Sequence, residues 1–141
     1  MTAADYLREQ SLRMTDRYES DCVTHACRLA ELLRAEAKSP WIGRLRDRQE
    51  RERGVFHGPL TPQRYAGRRG PTWTTHYVAC ADHDVYDPIV GTVINIDGYA
   101  QAVFGRDIAV ERLLDPETTD RLLASGELHG VLNRGSTISP P

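Results

Sequence analysis

The sequence predicts an α+β domain in which a helix bearing a cysteine packs on a small antiparallel β-sheet bearing a histidine and an aspartate. Three observations predict it. Apolar residues recur three and four positions apart at Val23, Ala26, Ala30, Leu33 and Ala37, with Leu29 and Leu32 widening the stripe, as in a core-facing helix. The stretch Thr72–Ala81 is rich in β-branched and aromatic residues, and a turn candidate at Asp82-His83-Asp84 leads from it into Val85-Tyr86-Asp87, as in a hairpin. Beyond Phe104, helical spacing returns at Ile108, Val110, Leu113, Leu114, Leu122 and Leu123.

The 141 residues suffice for one domain with a real core and are too few for two. That domain is expected over residues 1–132, with residues 133–141 as a disordered tail. The 18 basic and 20 acidic residues leave a net charge of -2, which argues against a nucleic-acid or anionic-membrane footprint. Lys38 is the one lysine among the basic residues, a composition bias without functional weight. Three cysteines are an odd count, and no charged start is followed by an apolar stretch of signal-peptide type. A reduced cytoplasmic setting is therefore expected, and export as an effector without a cleavable signal peptide stays compatible with it. No apolar run reaches the length of a membrane span.

Taken in order, Ala3–Met14 reads as a short helix or an N-terminal arm. Ser20 and Asp21 supply a cap, and the helix that follows starts at Cys22 and is stopped by Pro40. Trp41, Ile42 and Leu45 predict a short second helix on one edge of the core. The mixed charges from Arg44 to Arg53 suggest a solvated face, and Gly54–Pro71, rich in Gly, Pro and Arg, a long loop or lid. In the following strand His76, Val78 and Cys80 fall on one face, and Thr75, Tyr77 and Ala79 on the other. Pro88 limits the hairpin. Helices are expected at Asp107–Leu114 and Pro116–Leu123, the second opened by Asp115-Pro116 and ended by Gly126.

A cysteine at a helix start feels the partial positive charge of unsatisfied N–H groups, which favours thiolate, while Asp21 acts against it. The alternative is that Cys22 is a small apolar residue at a buried helix end. A nucleophilic cysteine also needs an imidazole as base and a third group to orient that imidazole. His76 on the strand and Asp87 across the hairpin supply those types, so Cys22, His76 and Asp87 are the candidate catalytic residues. His25, one helical turn from Cys22, could join Cys27, Cys80 or His83 in a zinc site, but the spacings match no ordinary zinc pattern; no metal or cofactor is expected. Cys27 and Cys80 read as buried small residues, and His57 and His129 as exposed.

Asp-Cys at a helix start, Thr-His-Tyr-Val-Ala on a strand and Val-Tyr-Asp-Pro after it together resemble the papain-like cysteine hydrolase superfamily in its small bacterial toxin and effector forms. The segment Ile94–Phe104, with its Tyr and Phe, is similar to the short helix that commonly follows the Asp-Pro in that family. The resemblance spans Cys22 to Phe104 and implies a papain-like fold, a nucleophile at Cys22, a general base at His76 and an orienting acid at Asp87. It departs at the oxyanion hole, since no Gln occurs from Asp16 to Asp21; the Cys22 backbone N–H, Ser20 and Tyr18 are the replacement candidates. The expected activity is that of a peptidase, deamidase or acyl transferase on a peptide, protein or small amide or acyl substrate. Trp73 is a core or groove-lining residue, and Arg64, Arg68 or Arg69 are candidates to bind an acidic substrate. The other reading is a non-catalytic papain-fold binding or interaction module.

Overall fold

In the computed structural model, which describes residues 1–14, 18, 20–46, 49–50, 55–56, 60–65 and 72–137, helices cover both faces of a five-stranded antiparallel sheet. The elements among the described residues are α1 (Ala3–Arg13), α2 (Cys22–Ala35), β1 (Pro40–Arg46), β2 (Gln49–Glu50), β3 (Val55–Phe56), a 3-10 turn (Gln63–Tyr65), β4 (Thr75–Ala81), β5 (Asp84–Tyr86), β6 (Ile94–Asn95), α3 (Ile96–Phe104), β7 (Glu111–Leu114), α4 (Pro116–Ser125) and α5 (Leu128–Thr137). The sheet runs β6-β5-β4-β1-β7, and β2 pairs with β3 separately.

The α+β class follows from period. Helix α2 buries nine residues along its stripe, among them Leu29, Ala30 and Leu33, and these pack with Ile42, Tyr77 and Ala79 of the sheet. Truncating Leu33 to alanine would cost about 2–5 kcal/mol. Helices α1, α4 and α5 add Leu7, Leu122 and Leu132 to the same core. On the opposite face Trp41, Leu45, Val78 and Val85 pack with Tyr99, Val103 and Phe104 of α3 and with Tyr65. Side chains of a strand alternate between faces, so His76 belongs to this second face.

An interior strand, β1, corrects the sequence reading. Trp41, Ile42 and Leu45 lie on β1, not on a helix, with Leu45 opposite His76 and Gly43 opposite Val78 on β4. Trp41 and Leu45 enter one core and Ile42 the other, which is period two, and a strand buried on both faces loses the one-sided polarity that marks a surface strand. Gly43 is required there, because a β-carbon would sit 2.6 Å from Val110 Cγ1. The stretch expected as a helix at Asp107–Leu114 also ends in a strand, β7, which pairs with β1 through Ile42 and Leu114. Arg44 and Arg46, assigned to a solvated face, both reach Glu111 of β7, at 3.0 and 3.2 Å. Helix α5 runs through residues 133–137, where the sequence suggested a disordered tail.

Two segments place the site. The β4–β5 connection is the two-residue turn Asp82–His83, with Asp82 in the left-handed region (φ 52°) that Asp tolerates, so Ala81 faces Asp84 and Ala79 faces Tyr86. Part of the expected lid is pinned: Leu60 exchanges backbone hydrogen bonds with Trp73 (2.8 and 3.0 Å), and Leu60 and Tyr65 are buried.

Candidate active site

Cys22 opens α2 because Asp21 caps the helix, its carboxylate accepting from the Thr24 N–H at 2.7 Å. His76 stands on β4, and Asp87 follows the last residue of β5. All three are withdrawn from solvent, at 6, 0 and 2% exposure. His76 Nε2 meets Asp87 Oδ2 at 2.8 Å. The other Asp87 oxygen accepts from the Ile89 N–H at 3.1 Å, and the Tyr99 hydroxyl donates to Oδ2. A buried carboxylate is thus satisfied by an imidazole, a phenol and a backbone N–H, the condition under which a charge can stay inside a protein.

The electrostatics follow from these contacts. Burial, the largest influence on His76, disfavours the cation; the charge and hydrogen bond of Asp87, helped by Cys22, override it and push the imidazole up to about 10. Burial likewise favours the protonated carboxyl of Asp87, but His76, Tyr99 and the Ile89 N–H outweigh it and hold the group below its ordinary value. Burial and the Asp87 charge push the Tyr99 phenol well up, so it stays a donor. Cys22 acts on the ring through a hydrogen-bonding contribution and through its charge, yet the contact is too loose to give the buried His76 Nδ1 a partner of regular hydrogen-bond geometry. With Nε2 committed to Asp87, Nδ1 is the nitrogen left for proton exchange.

Aromatic rings enclose the imidazole. Trp73 stacks on it, centroids 4.0 Å apart and planes 24° from parallel, and Phe104 meets it edge-on at 5.9 Å. Tyr18 stands edge-on to Trp73 at 5.2 Å and to His25 at 4.8 Å. Burial, then the charges of Asp87 and Cys22, push the Tyr18 phenol well up, so this oxyanion candidate is also a protonated donor close to the cysteine.

His25 forms a separate buried arrangement. Its Nδ1 meets the Tyr6 hydroxyl at 2.8 Å, Nε2 has no partner, and burial pushes the ring down to about 4. Burial also pushes the Cys27 thiol up to about 12 and the Cys80 thiol up. His83 is exposed in the hairpin turn. Among the described residues, no group of three or more His, Cys, Asp or Glu is placed to hold a metal ion.

Arg64 corrects the expectation of a substrate-binding arginine. Its guanidinium donates to Ser11 Oγ (2.9 Å), to the carbonyls of Ser11 (2.5 Å) and Met14, and to Ile89 O (3.4 Å). It thus ties the end of α1 to the loop after Asp87, a cation at a helix C-terminus. Arg68 and Arg69 lie outside the described residues. Tyr99 and Tyr6 are the participants that sequence reasoning did not assign; a buried-type Tyr twelve residues past Asp87 was visible, but its target depends on how α3 folds back. No helix among the described residues is long and apolar enough to cross a membrane. The chain matches no family model, no curated protein and no solved structure, so the geometry of this site is what bears on function.

Proposed function

We propose that the chain is a thiol-dependent hydrolase or transferase of papain-like type acting on an amide or acyl group, with Cys22 as nucleophile, His76 as proton carrier and Asp87 as the orienting acid. One observation carries the reading: a fully buried imidazole, held cationic by Asp87 through Nε2, keeps Nδ1 unbonded on the side where the Cys22 thiol acts on it. A structural histidine in a core is ordinarily neutral and bonded through its polar atoms, so an orphaned Nδ1 beside a helix-start thiol is the arrangement of a nucleophile and its base.

The chemistry would run as follows. Cys22 Sγ, its proton on His76 Nδ1, forms a bond to the carbonyl carbon, and the carbonyl π pair moves to oxygen. N–H groups of the first turn of α2, which lack intrahelical acceptors, and the Tyr18 hydroxyl are suited to receive that charge. As the C–N or C–O bond breaks, Nδ1–H passes its proton to the leaving group, and a thioester remains on Cys22. Water or another nucleophile then gives its proton to Nδ1 and displaces the thiol, completing hydrolysis or transfer. The near-complete burial of Cys22 and the Trp73 ring over His76 favour the second reading, a papain-fold interaction module without turnover.

Exposure to p-nitrophenyl acetate at neutral pH, read by peptide mass spectrometry, separates them. The enzyme reading predicts acetylation of Cys22 in the wild type and none at that position in His76→Ala. A Cys22 that stays unmodified while the folded protein is incubated with excess ester, with p-nitrophenol released no faster than by His76→Ala, would leave the module reading.

A further inference from the structure

The Asp87 carboxylate is shared. His76 Nε2 and the Tyr99 hydroxyl converge on Oδ2, while the Ile89 N–H takes Oδ1. Tyr99 comes from α3, and at 1% exposure its phenol has been taken out of water. A buried hydroxyl is stabilised only where it meets a partner, and a tyrosine at this place could have been a phenylalanine if packing were its only role, as Phe104 shows at the end of the same helix. A single hydrogen bond from the backbone leaves a carboxylate free to turn about its Cβ–Cγ bond. A second donor on the other oxygen closes that freedom and sets the carboxylate in line with the imidazole N–H.

We propose that Tyr99 is a positioning residue for Asp87: its hydroxyl holds the carboxylate turned toward His76 Nε2, and through it fixes which face of the imidazole is presented to Cys22. This rests on the Cys22–His76–Asp87 reading for its catalytic meaning, but the contact itself does not. Packing of α3 and positioning of Asp87 are separable, since Tyr99→Phe keeps the ring and removes one oxygen, whereas Val103→Ala opens a cavity on the same helix without touching the carboxylate.

The experiment is a nuclear magnetic resonance titration of the histidine ring of His76 in wild type, Tyr99→Phe and Val103→Ala, alongside the alkylation rate of Cys22 across pH. In Tyr99→Phe the His76 midpoint is expected to fall by about one unit or more toward 6.5, and the Cys22 rate at neutral pH by about tenfold. Val103→Ala should lower the melting temperature yet leave the midpoint where it is in the wild type. A His76 midpoint in Tyr99→Phe equal to the wild type, or above it, overturns the proposal, the latter because it would make the phenol a competitor for Oδ2. If the midpoint falls while Cys22 in the wild type reacts no faster than Cys22 in His76→Ala, Tyr99 positions Asp87 and it is the thiol-enzyme reading that fails.

Discussion

His25 and His76 are both buried, at 2 and 0% exposure, yet burial leaves one pushed down to about 4 and the other up to about 10. The partner makes the difference. His25 meets a phenol, Tyr6, which offers no charge, so desolvation decides and the ring is neutral. His76 meets the Asp87 carboxylate, whose charge outweighs desolvation. Each ring also carries one unpartnered nitrogen, Nε2 on His25 and Nδ1 on His76. The orphan on His25 faces its surroundings as a neutral group in a structural cluster, whereas the orphan on His76 belongs to a cation beside a thiol. Two imidazoles on adjoining elements are thus sorted by their partners into a neutral ring and a cationic one.

Removing the charge should break the contrast most strongly. Asp87→Asn takes the counter-ion from a buried imidazole, and loss of one partner of such a pair costs about 3–5 kcal/mol. Urea unfolding should record that loss, and the His76 midpoint should drop steeply, because desolvation, the largest influence, would be opposed by Cys22 alone. Unchanged stability would mean that the pair is not charged.

Changing pH pulls the two rings in opposite directions. The His76 value is raised in the folded state, so its stabilisation is fully present below about 6.5 and is lost as pH rises from there toward about 10. The His25 value is lowered, so its contribution is present above about 6.5 and is lost as pH falls toward about 4. Each limb should have a slope of at most about 1.4 kcal/mol per pH unit. Denaturation curves of His25→Gln should show a flatter acid limb and the same alkaline limb; an acid limb as steep as in the wild type would remove His25 as its cause.

The partner of His25 gives a smaller and purely structural effect. Tyr6→Phe leaves Nδ1 as well as Nε2 unbonded and should cost about 1–3 kcal/mol in unfolding, with the alkylation rate of Cys22 unchanged. A slower rate in that variant would join the two histidines into one network. Asp21→Asn should matter least: the cap survives, stability stays within about 0.5 kcal/mol, and His25 loses only a distant negative charge, so its midpoint should move slightly down.

These contrasts were unevenly legible in the chain. The stripe from Val23 to Leu33 and the cap at Asp21 depend on neighbours three and four residues away, and both were readable. The separation of His76 from Asp87 was a local matter as well, since a two-residue turn lies between their strands. β1 was misread because burial on both faces erases the alternation that marks a strand, and its Arg44 and Arg46 look solvated until Glu111 arrives from β7. The partners that set the protonation of both rings come from farther off: Tyr6 sits nineteen residues before His25, and Tyr99 twelve beyond Asp87. Such contacts exist only once α1 and α3 have packed, and no spacing rule announces them.

The central claim is that His76, made cationic by Asp87, activates Cys22 and neither of the other two cysteines. Limited treatment of the folded protein with iodoacetamide, followed by peptide mass spectrometry of wild type and His76→Ala, tests it most directly. Cys22 should be carboxamidomethylated first in the wild type, ahead of Cys27 and Cys80, whose thiols burial pushes up, and that lead should disappear in His76→Ala. Preferential labelling of Cys27 or Cys80, or a Cys22 rate indifferent to the loss of His76, would contradict the account.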